Sequence, residues 1–120
     1  MDAEPNLYEL VAEAKKQMDA GNARGAADLL EKAKEMEPDK ASIRESLARA
    51  LFNSGQLARA GEEFTKAIEI DPANHYAYYG LGLCNARFGD KAKAIGSIKI
   101  ALAMRPDSED YQSALRRLMR

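Results

Sequence analysis

The chain has 120 residues, is 46% hydrophobic and 31% charged, and carries a formal net charge of −1. That supports one domain with a modest core, needing neither disulfides nor metal. The near-zero charge offers phosphate backbones no broad attraction, which argues against nucleic acid, and no apolar run approaches the ~18 residues of a membrane span.

In chain order, Met1 to Asn6 is acidic, lacks an apolar run and reads as a short tail rather than a secretory signal. A period organises the rest. Pro38, Pro72 and Pro106 stand 34 residues apart, and so do Gly21, Gly55 and Gly89. Ala26, Ala60 and Ala94 keep the same register, as do Ala33, Ala67 and Ala101. The units are therefore residues 7–40, 41–74 and 75–108, followed by a closing segment, 109–120.

Each unit reads as two helices. Asn6 is the N-cap of the first, with Glu9 as a capping-box partner, and Gly21 ends it. In the second unit the breaks are Gly55 and Ile70-Asp71-Pro72. In the third, a helix runs from His75 to Phe88 and Gly89 supplies a left-handed stop. Asp90 then caps a helix reaching about Met104, which Arg105 and Pro106 terminate. The closing helix carries an apolar stripe, Tyr111, Leu115, Leu118 and Met119, suited to covering the last unit. The predicted fold is all-α: an α-solenoid of three helix-turn-helix repeats with a C-terminal capping helix, seven helices in all.

Ala14, Ala48 and Gly82 share one position, and Ala26, Ala60 and Ala94 another, where small side chains let paired helices approach closely. Leu47, Phe64, Ile68, Tyr78, Leu81, Ile95, Ile98 and Leu102 are the expected filling of the core.

These residues resemble tetratricopeptide repeats. The third unit is nearest, with Tyr78, Leu81-Gly82, Gly89-Asp90, Ala94-Ile95, Ala101-Leu102 and Pro106. The second matches through Leu47-Ala48, Gly55, Ala60, Phe64, Ala67-Ile68 and Pro72, and the first through Leu10, Ala14, Gly21, Ala26, Leu30, Ala33 and Pro38. The first unit has Glu13 and Gln17 where large apolar residues are usual.

The resemblance implies that first helices line a concave groove. The groove positions carried over are Tyr8, Val11, Lys15 and Met18, then Ser42, Glu45, Arg49, Phe52 and Asn53, then Tyr76, Tyr79, Leu83, Ala86 and Arg87. Ser113 and Arg117 extend the groove on the closing helix. The set reads as aromatic and mixed in charge, and tyrosine and arginine are enriched at binding hot spots. It lacks the carboxylate clamp of heat-shock co-chaperones. The corresponding residues are Val11, Lys15, Ser46, Tyr76 and Gly80, so no chaperone C-terminal peptide is expected to bind.

Plainer roles compete. Tyr78 reads as core, Glu45 and Arg49 as an i,i+4 pair, Cys84 as a small buried hydrophobe and His75 as a solvated helix end. Gly80, inside a helix, either opens a pocket or relieves crowding. Catalysis has little to stand on. His75 and Cys84 are nine residues apart, on opposite sides of one helix. No converging ligand set points to a metal or cofactor, and Gly80-x-Gly82 follows no strand.

The expected function is a non-catalytic protein-protein interaction module holding a peptide or protein segment in the groove. A self-associating scaffold is the alternative. Residues 1–74 carry 10 basic and 15 acidic residues, net −5, and residues 75–120 carry 8 and 4, net +4. Such halves could pair as a weak homo-oligomer. The lone Cys84, which cannot form an internal disulfide, fits a cytoplasmic setting.

Overall fold

The computed structural model describes residues 4–120, so the first three residues of the expected tail lie outside the described residues. The described residues form seven helices and no strand. They are α1 (Leu7–Asp19), α2 (Ala23–Met36), α3 (Ala41–Asn53), α4 (Leu57–Ile70), α5 (His75–Arg87), α6 (Lys91–Met104) and α7 (Glu109–Leu118).

The punctuation is local chemistry repeated three times. Gly21, Gly55 and Gly89 hold φ of 82°, 83° and 81°, where a Cβ is disfavoured. Each closes the same double hydrogen bond. Gly21 N–H donates to Met18 and Asn22 N–H to Gln17, and Gly55/Gln56 and Gly89/Asp90 repeat the pair. Helices α2, α4 and α6 each end two positions before Pro38, Pro72 and Pro106. Asn6 accepts from Glu9 N–H at 2.8 Å and Asp90 from Lys93 N–H at 3.1 Å, as the sequence suggests. Asn22, Asn74 and Ser108 cap three further helices in the same way.

Helices of 13–14 residues are roughly 20 Å long, close to the two short extents of the molecule, 25 and 24 Å. The 57 Å axis is therefore the stacking direction. Packing runs in chain order, α1 on α2 through α6 on α7, and α3 also touches α5.

The core follows the small-residue register. Ala26, Ala33, Ala48, Ala60, Ala67, Ala94 and Ala101 are fully buried, around Leu47, Leu51, Phe64 and Ile98. A Cβ on Gly82 would stand 2.7 Å from Ile98 Cδ1 and 3.2 Å from the Ala94 carbonyl, so α5 lies tight on α6.

Four expectations need correction. Ile95 and Leu102 are half-buried rather than core, and so is Tyr78. Its equivalents Arg44 and Gln112 donate to the carbonyls of Pro38 and Pro106, which places this register position against the turn. Met119 is 60% exposed at the C-cap of α7, and Ala114 is buried in the face attributed to that stripe. His75 is not a solvated end: its Nδ1 lies 2.6 Å from the Tyr111 hydroxyl. Glu45 and Arg49 form no ion pair among the described residues.

One feature of the interior went unread in the sequence. Glu63 on α4 is only 9% exposed and holds Arg44 of α3 at 2.9 Å and Lys34 of α2 at 3.0 Å. Glu31 joins Lys34 and Arg59 to the same network. This charged cluster ties the first repeat to the second.

Candidate functional site

Four cavities of about 220 to 330 Å³ run along one side of the stack. Neighbours share walls. Val11, Leu30 and Ser46 belong to the first and second, Arg49 to the second and third, and Phe52, Tyr79 and Leu83 to the third and fourth. They form one groove, walled mainly by α1, α3, α5 and α7.

The N-terminal end is apolar. Tyr8, 81% exposed, stands with Leu7, Val11 and Ile43 beside Lys40 and Ser42. Lys15, Met18 and Arg49 line the next stretch. The third cavity is aromatic, with Phe52, Phe64, Tyr76 and Tyr79 around Gly80. The last is walled by Tyr79, Leu83, Ala86 and Arg87 on one side and Ala114, Arg117 and Leu118 of α7 on the other.

Every groove position named from the three repeats therefore lies along this surface except Glu45, which lines none of the four cavities. On α7, Arg117 reaches the groove and Ser113 does not; Ala114 and Leu118 take its place. Gly80 serves both roles considered for it. A Cβ there would sit 2.2–2.6 Å from the Phe64 ring, and the space left beside it is groove wall.

The aromatic groups form a ladder across three helices. Phe64 meets Tyr76 at 6.4 Å between ring centroids, Tyr76 meets Tyr79 at 5.9 Å, and Tyr79 meets Tyr111 at 4.7 Å. Tyr111 then contacts His75 at 5.7 Å. Such tilted pairs each add about 0.5–1.5 kcal/mol beyond area burial, and here they fix α7 against α5. Burial pushes the Tyr76 hydroxyl above its ordinary value against the opposing pull of Arg49, while Glu45 adds to the rise. Burial also raises Tyr79, with Asp110 adding and Arg117 opposing. Both hydroxyls therefore stay protonated as donors at neutral pH. Arg87 stacks on Phe52, its guanidinium carbon 5.1 Å from the ring centroid.

The lining is cationic rather than mixed. Lys15, Lys40, Arg49, Arg87 and Arg117 contribute to the four cavities and no carboxylate does. Only Lys15 is ion-paired among the described residues, to Asp19 at 3.7 Å, with both side chains largely in solvent.

No cluster of three or more His, Cys, Asp or Glu suited to a metal occurs among the described residues. Cys84 is buried, and burial pushes its thiol up to about 11. Among the described residues, no helix is long and apolar enough to cross a membrane.

Paired helices on a 34-residue period, with first helices walling one groove, define a helical-repeat protein. Tetratricopeptide-repeat family models match residues 11–75 and 51–118, and the chain belongs to that family. Cellulose synthase operon protein C of Komagataeibacter xylinus is 33% identical over 73 residues, 61% of this chain and 6% of its own. Anaphase-promoting complex subunit 3 of Dictyostelium discoideum is 30% identical over 88 residues, 73% of this chain and 9% of its own. The chain thus spans under a tenth of these relatives. Among solved structures, the first tetratricopeptide domain of Spaghetti, bound to an HSP90 peptide, superposes with a TM-score of 0.90 at 18% identity, covering 94% of this chain and 90% of that one. The Sgt2 domain from Aspergillus fumigatus gives 0.89 at 23% identity, covering 97% and 78%. At these identities the likeness is one of fold, and the family's fold is that of a protein-protein interaction module.

Proposed function

We propose that this domain is a non-catalytic adaptor that holds a peptide or protein segment in its groove. The observation that carries the reading is the continuity of the groove, four adjoining cavities along α1, α3, α5 and α7 with exposed arginines beside exposed Tyr8 and half-buried Phe52, Tyr76 and Tyr79. The groove residues proposed to contact the partner are those placed along it above, with Glu45 left outside. The Spaghetti domain was solved with an HSP90 peptide, yet the positions matching the carboxylate clamp here are Val11, Lys15, Ser46, Tyr76 and Gly80. The reading therefore excludes recognition through a clamped chain terminus.

Affinity capture from the native lysate tests it, comparing wild type with an Arg49→Ala/Tyr79→Ala variant whose fold is checked by circular dichroism. Loss of captured partners from the folded variant is expected. Unchanged capture refutes the groove reading. A cytoplasmic setting belongs to the same proposal, since the buried free thiol of Cys84 suits a reducing compartment.

Self-association is the second reading. Ile100 and Met104 on the outer side of α6 are 43% and 39% exposed, and the chain halves differ in charge by −5 against +4. Sedimentation at low and high salt decides it, and a monomer at high micromolar concentration in both would reject it.

A further inference from the structure

The chain as a whole is near neutral, and its N-terminal half is acidic. The groove is neither. Its five exposed cations come from all three repeats and from α7, and they face no carboxylate within the lining. Four of them have no ion-pair partner among the described residues. Between them lie two apolar floors. One is at Tyr8, Val11 and Ile43; the other is where Phe52 and Tyr79 meet Leu118 of α7. Unpaired cations beside aromatic walls favour ligands that combine carboxylates with large apolar side chains.

Resting on the groove reading above, we infer that the occupant is an acidic linear segment of a protein chain, carrying an aromatic or large aliphatic anchor and read from within. The anchor enters the pocket between α5 and α7, walled by Phe52, Tyr79, Leu83 and Leu118. Flanking carboxylates pair with Arg87 and Arg117, and further ones with Arg49 and Lys15. Arg87 is held in place by its stacking on Phe52, which lowers the entropy lost when it pairs. The free chain terminus is not needed, because the clamp positions are apolar, aromatic or glycine except Lys15 and Ser46. A protein segment is favoured over nucleic acid by the surroundings. The outer surface of α1 beside the groove presents Glu9 and Glu13 with Lys16, so a long polyanion running past the groove meets more like charge than a short acidic segment confined to it.

The test is selection of a random peptide library of about 12 residues, a length that spans roughly 40 Å when extended, on the full chain. Binding is then measured by fluorescence anisotropy. Enriched sequences are expected to be net acidic with at least one aromatic or large aliphatic residue. Their C-terminal amides should bind like the free acids. Arg87→Gln and Arg117→Gln should each weaken binding by about tenfold, the scale of one charge-assisted hydrogen bond, without changing the thermal melt. Neutral or basic sequences that still lose binding in Arg49→Ala/Tyr79→Ala overturn the acidic inference and leave the groove reading standing. Binding that survives that double variant overturns both, as does no enrichment at all. An oligothymidylate that binds more tightly than the acidic peptides also overturns the inference, in favour of a nucleic-acid groove.

Discussion

The two helix-interior glycines Gly80 and Gly96 should respond to alanine in opposite directions. In a helix, alanine is favoured over glycine by about 1 kcal/mol, so propensity alone predicts a gain at both. Gly96 is exposed on α6, and a Cβ there meets nothing within 4 Å. Gly96→Ala should therefore stabilise by roughly 0.5–1 kcal/mol. At Gly80 a Cβ lands 2.2 Å from Phe64 Cζ and 2.4 Å from Cε1. Phe64 is 2% exposed and braced by Tyr76, so the ring has to shift by about 1 Å within a packed core. Overpacking of this kind typically costs about 1–3 kcal/mol, and the brace places this site at the upper end. After subtraction of the helix gain, Gly80→Ala should destabilise by about 1–2 kcal/mol. The two variants then differ by about 2–3 kcal/mol, or roughly 8–12 °C in Tm for a domain of this size. Urea and thermal unfolding followed by circular dichroism measure this. Adding Phe64→Leu to Gly80→Ala should cost less than Phe64→Leu does alone, because the clash has gone. The reasoning is refuted if Gly80→Ala is as stable as wild type.

Glu63→Gln should destabilise by about 2–4 kcal/mol, because Lys34 and Arg44 lose a nearly buried partner; chemical denaturation reads it directly. The same cluster sets an alkaline limit. Burial lowers the Lys34 pKa, but the hydrogen bonds and charges of Glu63 and Glu31 outweigh it and hold it above the ordinary 10.5. Its stabilising contribution is therefore complete below 10.5 and lost as pH rises through the folded value; denaturation midpoints across this range should fall less in Glu63→Gln than in wild type. Cys84, with its thiol at about 11, is about one part in a thousand thiolate at pH 8, so Ellman's reagent should react at least ~100-fold more slowly in buffer than in denaturing urea. Gly55→Ala should lose about 1 kcal/mol, since φ of 83° is left-handed although the space is open; a variant as stable as wild type would remove the conformational argument.

Legibility in the sequence followed the range of the interaction. Helix ends were readable because a left-handed glycine, an Asn or Asp cap and a proline stop each act within a few residues. The positions that the family resemblance carried over fall along the four cavities because the repeat keeps each first helix in the same phase. Glu45 was the exception, lining none of the groove cavities while affecting Tyr76 from a distance. What the sequence hid depends on the stacking itself. Glu63 finds Arg44 and Lys34 at separations of 19 and 29 residues, and His75 finds Tyr111 at 36. Helix α6 defeated periodicity for another reason. Ile95, Ile98, Ile100, Leu102 and Met104 surround it, so the expected core took in Ile95 and Leu102, which are half-buried, together with Ile98, which is buried.

Net charge shows where sequence averages mislead in a solenoid. A value of −1 sums over faces that never meet the same ligand. The carboxylates of α1 fall outside the groove, with Glu9 and Glu13 lining a separate outer cavity beside Lys16. On α2 and α4, Glu31 and Glu63 are paired with Lys34, Arg44 and Arg59, and Glu69 with Lys66, while Glu45 of α3 lines none of the four cavities. The lining of the groove is thus cationic while the chain is near neutral, because the carboxylates stand outside the cavities, Glu45 and Asp110 reaching Tyr76 and Tyr79 only through their charge. Local field, rather than net charge, decides what approaches a concave surface. By that measure the near-neutral chain carries a groove with a cationic lining, beside an outer α1 surface where Glu9 and Glu13 stand with Lys16.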